Sequence, residues 1–235
     1  MFADWLQQTL AQDQFQLPAV FDLGATFFFA LTGALAAMKR RYDWVGVLAL
    51  ALLTGVGGSL LRDGLFLQQG PPAVVRDGRF LLAILAGCVG GAALGNLMDR
   101  FRKVVAVLDA VGLCAYGVVG AQKSLAAGLS LPAAVLVGVV NACGGGLLRD
   151  LITREEPLVF KPGQFYVLAS LLGCVLFVLL AGKGMTSVPL AALLAMTATF
   201  LCRILAIVFN WRTSAVQPWL FEPGDTGGAA PPPRS

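Results

Sequence analysis

The chain has 235 residues, of which 57% are hydrophobic and only 13% are charged, with a net charge of +4 and a mean hydropathy of +0.79. A water-soluble domain typically carries about 25% charged residues, so this composition excludes an ordinary soluble domain and predicts a polytopic membrane protein. The chain contains no histidine, which excludes imidazole-ligated metal sites and Ser-His-Asp or Cys-His catalytic systems.

Seven stretches of the chain are candidate membrane spans, because each approaches the roughly 20 mostly apolar residues that a spanning helix needs. Spans 1 to 7, in chain order, are 18–38, 44–67, 80–98, 104–125, 131–152, 165–180 and 188–209. Span 6 is the shortest, but no charge interrupts it. An odd number of spans places the two termini on opposite sides of the membrane.

The basic residues predict the orientation of these spans. One side receives Lys39, Arg40, Arg41, Arg100, Arg102, Lys103, Arg149, Arg154, Lys161, Arg203, Arg212 and Arg234, and the other receives Arg62, Arg76, Arg79, Lys123 and Lys183. The side richer in lysine and arginine is normally cytoplasmic, which predicts a plasma (inner) membrane protein with its N-terminus outside and its C-terminus inside. The short basic clusters between apolar runs give no reason to expect nucleic-acid binding.

No functional role is predicted for the two ends of the chain or for the cysteines. Residues 1–17 are acidic and lack a cleavage signal, which predicts a retained extracytoplasmic tail and not a signal peptide. Residues 213–235 are rich in proline and glycine without apolar periodicity, which predicts a disordered cytoplasmic tail. The five cysteines lie inside apolar stretches without CxxC spacing, as expected of small buried hydrophobic residues.

The chain repeats itself at an offset of 87 residues. This single register aligns Asp22 with Asp109, Gly33 with Gly120, and the motif Gly-Gly-x-Leu-Leu-Arg-Asp at 57–63 with its copy at 144–150. Each copy contains three spans, so the second copy enters the membrane inverted. The predicted fold is therefore all-α, with a first three-helix repeat at 18–100, an inverted repeat at 101–185 and a seventh helix at 186–212. Inverted repeats are a recurring architecture of transport proteins.

The glycine clusters of spans 2 and 5 are the candidate pore elements. Glycine costs about 1 kcal/mol relative to alanine inside a helix, so Gly57-Gly58 and Gly144-Gly145-Gly146 favour a kink or unwinding. Carbonyl oxygens bared at membrane depth can line a wet cavity and replace part of a cation's hydration shell. The alternative is that these glycines only permit close helix packing.

Two polar residues at depth accompany the glycine clusters. Thr54 and Asn141 occupy equivalent positions of the repeat, one turn before the glycines. Asn141 could contact an ion or simply form a hydrogen bond to a neighbouring helix, and Tyr116 leaves the same two interpretations open.

The charged residues of the motif lie near the predicted mouths. Neighbouring residues on a helix do not face each other, so the partners are expected elsewhere, and the repeat predicts the pairs Asp22 with Arg62 and Asp109 with Arg149. The arginines then either brace helices or line the pore. The motif aspartates Asp63 and Asp150 would attract cations to the mouths or accept hydrogen bonds from loop amides.

Lys123 is a charge that the repeat does not explain, because its equivalent in the first copy is Ala36. A full charge crossing the membrane field gains about 2.3 kcal/mol per 100 mV, which is enough to bias a gate. The alternative is a lysine at the end of a helix whose amino group reaches the interface.

The seven spans, the 3+3 inverted repeat and the two motif copies resemble the bacterial relatives of the trimeric intracellular cation (TRIC) channels over residues 21–209. The resemblance implies a homotrimer among membrane lipids, with a pore in each protomer that is lined by kinked helices 2 and 5 and conducts K⁺. It also implies that the kink glycines are Gly57, Gly58, Gly144, Gly145 and Gly146, that Lys123 is linked to voltage gating, and that no cofactor or structural metal is needed. Ser59 departs from the pattern, because its equivalent is Gly146.

Two other classes of protein compete with a channel. A secondary transporter of glycine or another small amino acid can also be built from inverted repeats with broken helices. Coupled transport usually relies on a carboxylate near the midplane, whereas the acidic residues here fall near helix ends, which favours a channel. A membrane enzyme is not expected, since the chain lacks histidine and any metal-ligand spacing.

Overall fold

A computed structural model describes residues 17–94, 101–161, 165–182 and 184–211, and these residues form helices without any strand. The long helices are α1 (Ala19–Lys39), α2 (Trp44–Leu61), α3 (Gly78–Ala93), α4 (Phe101–Ala126), α5 (Leu131–Ile152), α6 (Tyr166–Gly182) and α7 (Val188–Val208). A π-helix, Arg62–Leu67, continues α2, and a one-turn helix, Ala73–Arg76, precedes α3. The predicted tails lie outside the described residues except for Leu17, and the predicted domain boundaries stay predictions.

Five helices are long and apolar enough to cross a membrane, namely α1, α2 with its π-helical extension, α4, α5 and α7. The other two, α3 and α6, are apolar but have only 16 and 17 residues. At about 1.5 Å per residue they reach roughly 25 Å, slightly less than a typical hydrocarbon core. The chain is thus an integral membrane protein, while the count of seven spans is confirmed for five helices and stays a prediction for α3 and α6.

Local sequence signals set several helix starts. The carboxylate of Asp43 accepts a hydrogen bond from the Gly46 amide at the start of α2, and Asp77 accepts one from the Arg79 amide at the start of α3. Both aspartates therefore act as N-caps, which satisfy amide groups that have no partner inside the helix. The helices α5 and α7 each carry a proline in the first turn, where proline's missing amide hydrogen costs nothing.

The two halves of the chain pack in the same way. Helix α1 packs against α2 and α3, and its counterpart α4 packs against α5 and α6. The halves meet through α1 with α4 and through α2 with α5, and α7 covers α4 and α6. The repeat-equivalent rings of Phe29 and Tyr116 stack with centroids 5.4 Å apart. Four of the five cysteines are buried and Cys202 is partly buried, close to the expectation for small hydrophobic residues.

The second half is inverted relative to the first. Asp63, from the first motif, shares a cavity with residues from the start of α1 and the end of α4. Asp150, from the second motif, shares a different cavity with residues from the end of α1 and the start of α4. The two motif copies therefore lie at opposite ends of the bundle, which confirms the predicted 3+3 inverted repeat.

Candidate functional site

The helices α2 and α5 cross at their glycine clusters, and their contacts are reciprocal. A Cβ atom added to Gly57 would lie 2.7 Å from Leu148 Cδ1, and one added to Gly144 would lie 2.9 Å from Leu61 Cδ1. Gly57 is the repeat equivalent of Gly144, and Leu61 is the equivalent of Leu148. The same contact is thus made twice, as expected where a pseudo-two-fold axis passes through the crossing.

The backbones of α2 and α5 approach each other too closely for any side chain. A Cβ atom on Gly58 would collide with the Asn141 carbonyl oxygen, and one on the equivalent Gly145 would collide with the Thr54 carbonyl oxygen. Thr54 and Asn141 are themselves repeat equivalents, so this contact is reciprocal too. Glycine is needed here because the two helices touch through their backbones, a packing that small residues permit in membranes.

The backbone stays α-helical through both glycine clusters. The expectation that the chain unwinds there is wrong, because close packing buries the carbonyl groups while they keep their helical hydrogen bonds. The other interpretation, in which the glycines permit close packing of the helices, fits this crossing better. The nearest departure from α-helical geometry is the π-helix that begins at Arg62, one turn after Gly58. A bend of the helix axes at the glycines stays a prediction.

A first cavity of about 440 Å³ lies between the start of α1, the end of α2 and the end of α4. Its lining includes Asp22, Asp63 and Lys123. Lys123 Nζ donates to Asp22 Oδ2 at 2.5 Å, and the lysine side chain is 33% exposed. The predicted pair of Asp22 with Arg62 is therefore wrong, because Lys123, the charge that breaks the repeat, binds Asp22 instead.

Arg62 is fully buried beside this cavity and is paired with its own neighbour. Its Nε and Nη2 atoms donate to the two oxygens of Asp63 at 2.7 and 3.1 Å, and its Nη1 atom donates to Asn141 Oδ1 at 3.4 Å. Asp63 also accepts from the Ala73 amide at 3.4 Å. The assumption that adjacent residues cannot pair is wrong, because the long arginine side chain folds back at the start of the π-helix. Asp63 is thus bound to the first amide of the one-turn helix and is not free.

A second cavity, of about 620 Å³, lies at the opposite end of the bundle and is lined by Asp109, Arg149 and Asp150 among others. Arg149 Nη1 donates to Asp109 Oδ1 at 2.7 Å and to Thr32 Oγ1 at 3.1 Å. Arg149 Nε donates to Asp150 Oδ1 at 2.9 Å. The predicted pair of Asp109 with Arg149 is confirmed. Asp150 also accepts from the Leu158 amide at 3.3 Å, so the second motif aspartate is bound like the first.

A string of buried polar groups lies between the two cavities. The hydroxyl groups of Thr26 and Tyr116 are 2.7 Å apart, and Tyr116 donates to the Gly55 carbonyl oxygen at 2.5 Å. Asn141 Nδ2 donates to the Tyr116 carbonyl oxygen at 2.6 Å. In the structure, Asn141 and Tyr116 therefore form hydrogen bonds to neighbouring helices. The two cavities share no lining residue, and Thr26 and Tyr116 lie between the two linings along α1 and α4.

Two polar residues of this region were not predicted. Thr26 links α1 to Tyr116, and Thr32 links α1 to Arg149. Their repeat equivalents are the apolar Leu113 and Val119, so the repeat gave no signal for them. Hydroxyl groups inside the otherwise apolar span 1 were the available clue.

Comparisons with known proteins agree with this architecture. The family model described as "Glycine transporter" matches the chain twice, at residues 19–95 and 106–182, in the register of the internal repeat. The UPF0126 inner membrane protein YadS of Escherichia coli (strain K12) is 34% identical over 81% of this chain and 92% of its own length.

Solved structures are similar over most of the chain. The TRIC trimeric intracellular cation channel orthologue from Rhodobacter sphaeroides is 34% identical with a TM-score of 0.76, and the match covers 81% of this chain and 96% of that one. A structure described as the basis for conductance through TRIC cation channels is 26% identical with a TM-score of 0.72, covering 86% and 98%. These relatives are membrane proteins and not enzymes. The chain belongs to the UPF0126 family and is a bacterial member of the TRIC-like proteins.

Proposed function

We propose that the chain forms a monovalent cation channel that conducts K⁺, with a pore inside each protomer that runs from the first cavity to the second. The observation that carries this proposal is the pair of polar cavities at opposite ends of the bundle, which are related by the inverted repeat and have the polar string between their linings along α1 and α4. A continuous path between the two cavities would form if α2 and α5 moved slightly apart. Gly57, Gly58, Gly144, Gly145 and Gly146, with Thr54 and Asn141, would line that path.

The charges of the first cavity favour cations, because three carboxylates (Asp22, Asp63 and Asp77) line it against two basic side chains (Arg76 and Lys123). Both motif arginines are already bound to carboxylates. Asp22 Oδ1 is buried without a hydrogen-bond donor among the described residues. A buried carboxylate oxygen without a donor is costly unless a cation or water meets it. The first cavity therefore holds one carboxylate oxygen suited to a passing cation.

We propose a homotrimer in the plasma (inner) membrane, with the N-terminus and the first cavity outside. The solved relative from Rhodobacter sphaeroides is described as trimeric. The helices α3, α6 and α7 carry exposed leucines such as Leu82, Leu172 and Leu193, which suit contact with lipid or another subunit. Native mass spectrometry of the detergent-solubilised protein should give the mass of three chains. A monomer that persists at high protein concentration would contradict the trimer.

A glycine carrier is the second candidate, and the description of the matched family model favours it. An inverted repeat with two cavities that open in turn would also suit alternating access to a small zwitterion. The two candidates differ in their products: a channel passes ionic current without saturable solute uptake, whereas a carrier accumulates glycine.

Proteoliposomes loaded with K⁺ distinguish the candidates in one preparation. We expect an outward K⁺ gradient to create a membrane potential, read with a voltage-sensitive dye, and no saturable uptake of labelled glycine. Asp22→Asn should slow the flux, whereas Asp77→Asn is a matched control, because Asp77 lines the same cavity but pairs with the exposed Arg79. Saturable glycine uptake without a K⁺-dependent potential would overturn the channel and support the carrier.

A further inference from the structure

The two halves of the inverted repeat hold the same carboxylate in two different ways. In the second half, the α4 aspartate Asp109 binds the motif arginine Arg149 at 2.7 Å. In the first half, the equivalent α1 aspartate Asp22 binds Lys123 at 2.5 Å and not the motif arginine Arg62. The halves share a fold and a motif, so they represent two arrangements that one local architecture permits.

One side chain that distinguishes the two halves is Lys123. Lys123 reaches Asp22 from α4, and the position that corresponds to Lys123 by the repeat is Ala36, which lines the cavity that holds Asp109. Alanine offers no charge, so Asp109 has no lysine at that position to compete with Arg149. The second half therefore shows how the motif arginine binds the repeat aspartate where no lysine stands at the position of Lys123.

The donor atoms of the two arginines support this comparison. In both halves Nε binds the neighbouring motif aspartate, at 2.7 Å in Arg62 and 2.9 Å in Arg149. The Nη1 atom of Arg149 binds Asp109 at 2.7 Å, whereas the Nη1 atom of Arg62 makes only a long hydrogen bond of 3.4 Å to Asn141. The Nη1 atom of Arg62 is thus the group that would bind a carboxylate in the alternative arrangement.

The acceptor atom for that bond is also present. Asp22 uses Oδ2 for Lys123, while its Oδ1 is buried and has no donor among the described residues. Lys123 is one-third exposed in the first cavity, so it can withdraw into water, whereas Arg62 is fully buried. Asp22 and Asp63, the present partner of Arg62, both line that cavity.

We propose that Asp22 is an exchangeable carboxylate, which binds Lys123 in the arrangement seen here and binds Arg62 once Lys123 withdraws. Because Arg62 follows α2 and Asn141 lies on α5, the exchange breaks a side-chain hydrogen bond across the crossing that separates the two cavities. Lys123 bound to Asp22 is then the closed state, and Asp22 bound to Arg62 loosens the first half of the crossing. This inference rests on the proposed channel function. It assigns the regulation of channel opening to a change in the partner of Asp22.

A double-mutant cycle on channel opening tests the exchange. Lys123→Met should raise the open probability about tenfold, within the usual range of coupling between sites, because Asp22 can then take Arg62. The same change in the Asp22→Asn background should have little effect, because the amide cannot replace the carboxylate as partner of Arg62. An equal effect of Lys123→Met in both backgrounds would overturn the exchange, since Lys123 would then act independently of Asp22.

Structures of two variants test the exchange without any current. In Lys123→Met, we expect Asp22 to lie within hydrogen-bond distance of Arg62 Nη1. In Ala36→Lys, which places a lysine at the equivalent position of the second half, we expect the introduced amine to draw Asp109 away from Arg149. Unchanged pairing in both variants would overturn the proposal. If no variant conducts, the channel function fails, but these two structures still decide whether Asp22 changes its partner.

Discussion

At the residue scale, the structure is governed by how buried arginines are neutralised. Arg62 and Arg149 are both buried, and each binds the aspartate that follows it in the chain. Arg149 has a second carboxylate, Asp109, whereas Arg62 has only the amide oxygen of Asn141 in that place. An ion kept away from water must be paired and hydrogen-bonded. The motif arginine of the second half, which binds two carboxylates, is therefore more fully neutralised than that of the first half.

Arg149→Gln should therefore be among the most destabilising substitutions of the chain. Loss of the guanidinium leaves Asp109 and Asp150 buried without their counter-charge, which typically costs about 3–5 kcal/mol in the free energy of unfolding. Thermal unfolding in detergent measures the effect. Arg79→Gln is the control, because Arg79 is exposed and pairs only with Asp77, and its melting temperature should stay unchanged. A similar, small loss in both variants would contradict the structural role of Arg149.

Glu155 supplies a pH-dependent contact at the rim of the second cavity. Burial tends to raise the pKa of Glu155, but hydrogen bonds and charges from Lys39 and Arg40 outweigh it and lower the pKa below the ordinary value of 4.5. A carboxyl group with a lowered pKa adds stability above pH 4.5, and this stability is lost as the pH falls through the lowered pKa.

Glu155→Gln should thus be slightly less stable than the wild type at pH 7, by a few tenths of a kcal/mol because the contact is exposed to solvent. The melting temperatures of the two proteins, measured across a pH series, should converge below pH 4.5. A difference that stays constant into acid would show that the charge of Glu155 is not responsible.

At the element scale, α2 and α5 form the centre of the molecule because their backbones touch. The contacts occur twice, once from each side of the pseudo-two-fold axis, through Gly58 with Asn141 and Gly145 with Thr54. Close backbone approach maximises van der Waals contact between helices in a membrane, where the hydrophobic effect gives little attraction. In the proposed channel, this close contact of α2 with α5 keeps the path between the two cavities closed.

Gly58→Ala tests this crossing. The added methyl group would meet the Asn141 carbonyl oxygen, and forcing a tightly packed contact apart typically costs about 1–3 kcal/mol. We expect a melting temperature several degrees lower. Gly64→Ala is a matched control, because a Cβ atom at Gly64 meets nothing within 4 Å. Equal stability of the two variants would mean that α2 and α5 are not packed as described.

The sequence predicted much at this scale because a repeat carries spatial information. One register located the equivalent helices, the glycine clusters and the pair of Asp109 with Arg149. It assigned the wrong partner to Asp22, because that partner, Lys123, has the uncharged Ala36 as its repeat equivalent. A repeat cannot predict a contact that only one of its copies makes. The π-helix at Arg62 and the fold-back of both arginines depend on tertiary packing, so local spacing gave no signal for them.

At the scale of the whole molecule, the inverted repeat gives two similar cavities different surroundings. The second cavity is lined by Lys39, Lys103 and Lys161, and the first by Arg76 and Lys123. This difference follows the general excess of basic residues on the cytoplasmic side of membrane proteins. In the predicted orientation, the second cavity faces the cytoplasm and Asp22 lies on the outer side.

This topology predicts the result of reporter fusions. Green fluorescent protein fused to the C-terminus should fluoresce, and alkaline phosphatase fused there should be inactive, because the C-terminus is predicted to lie in the cytoplasm. Fusions of both reporters after residue 70, in the loop that follows the π-helix, should give the opposite pattern. Active phosphatase at the C-terminus would reverse the orientation and the assignment of both cavities.

The reversal potential of single-channel currents shows whether cations pass selectively through the protomer. The purified protein would be reconstituted in a planar bilayer with a KCl gradient and no other salt. We predict unitary currents that reverse close to the K⁺ equilibrium potential. Currents that reverse at the Cl⁻ equilibrium potential, or a silent bilayer from a preparation that takes up glycine saturably, would contradict the account.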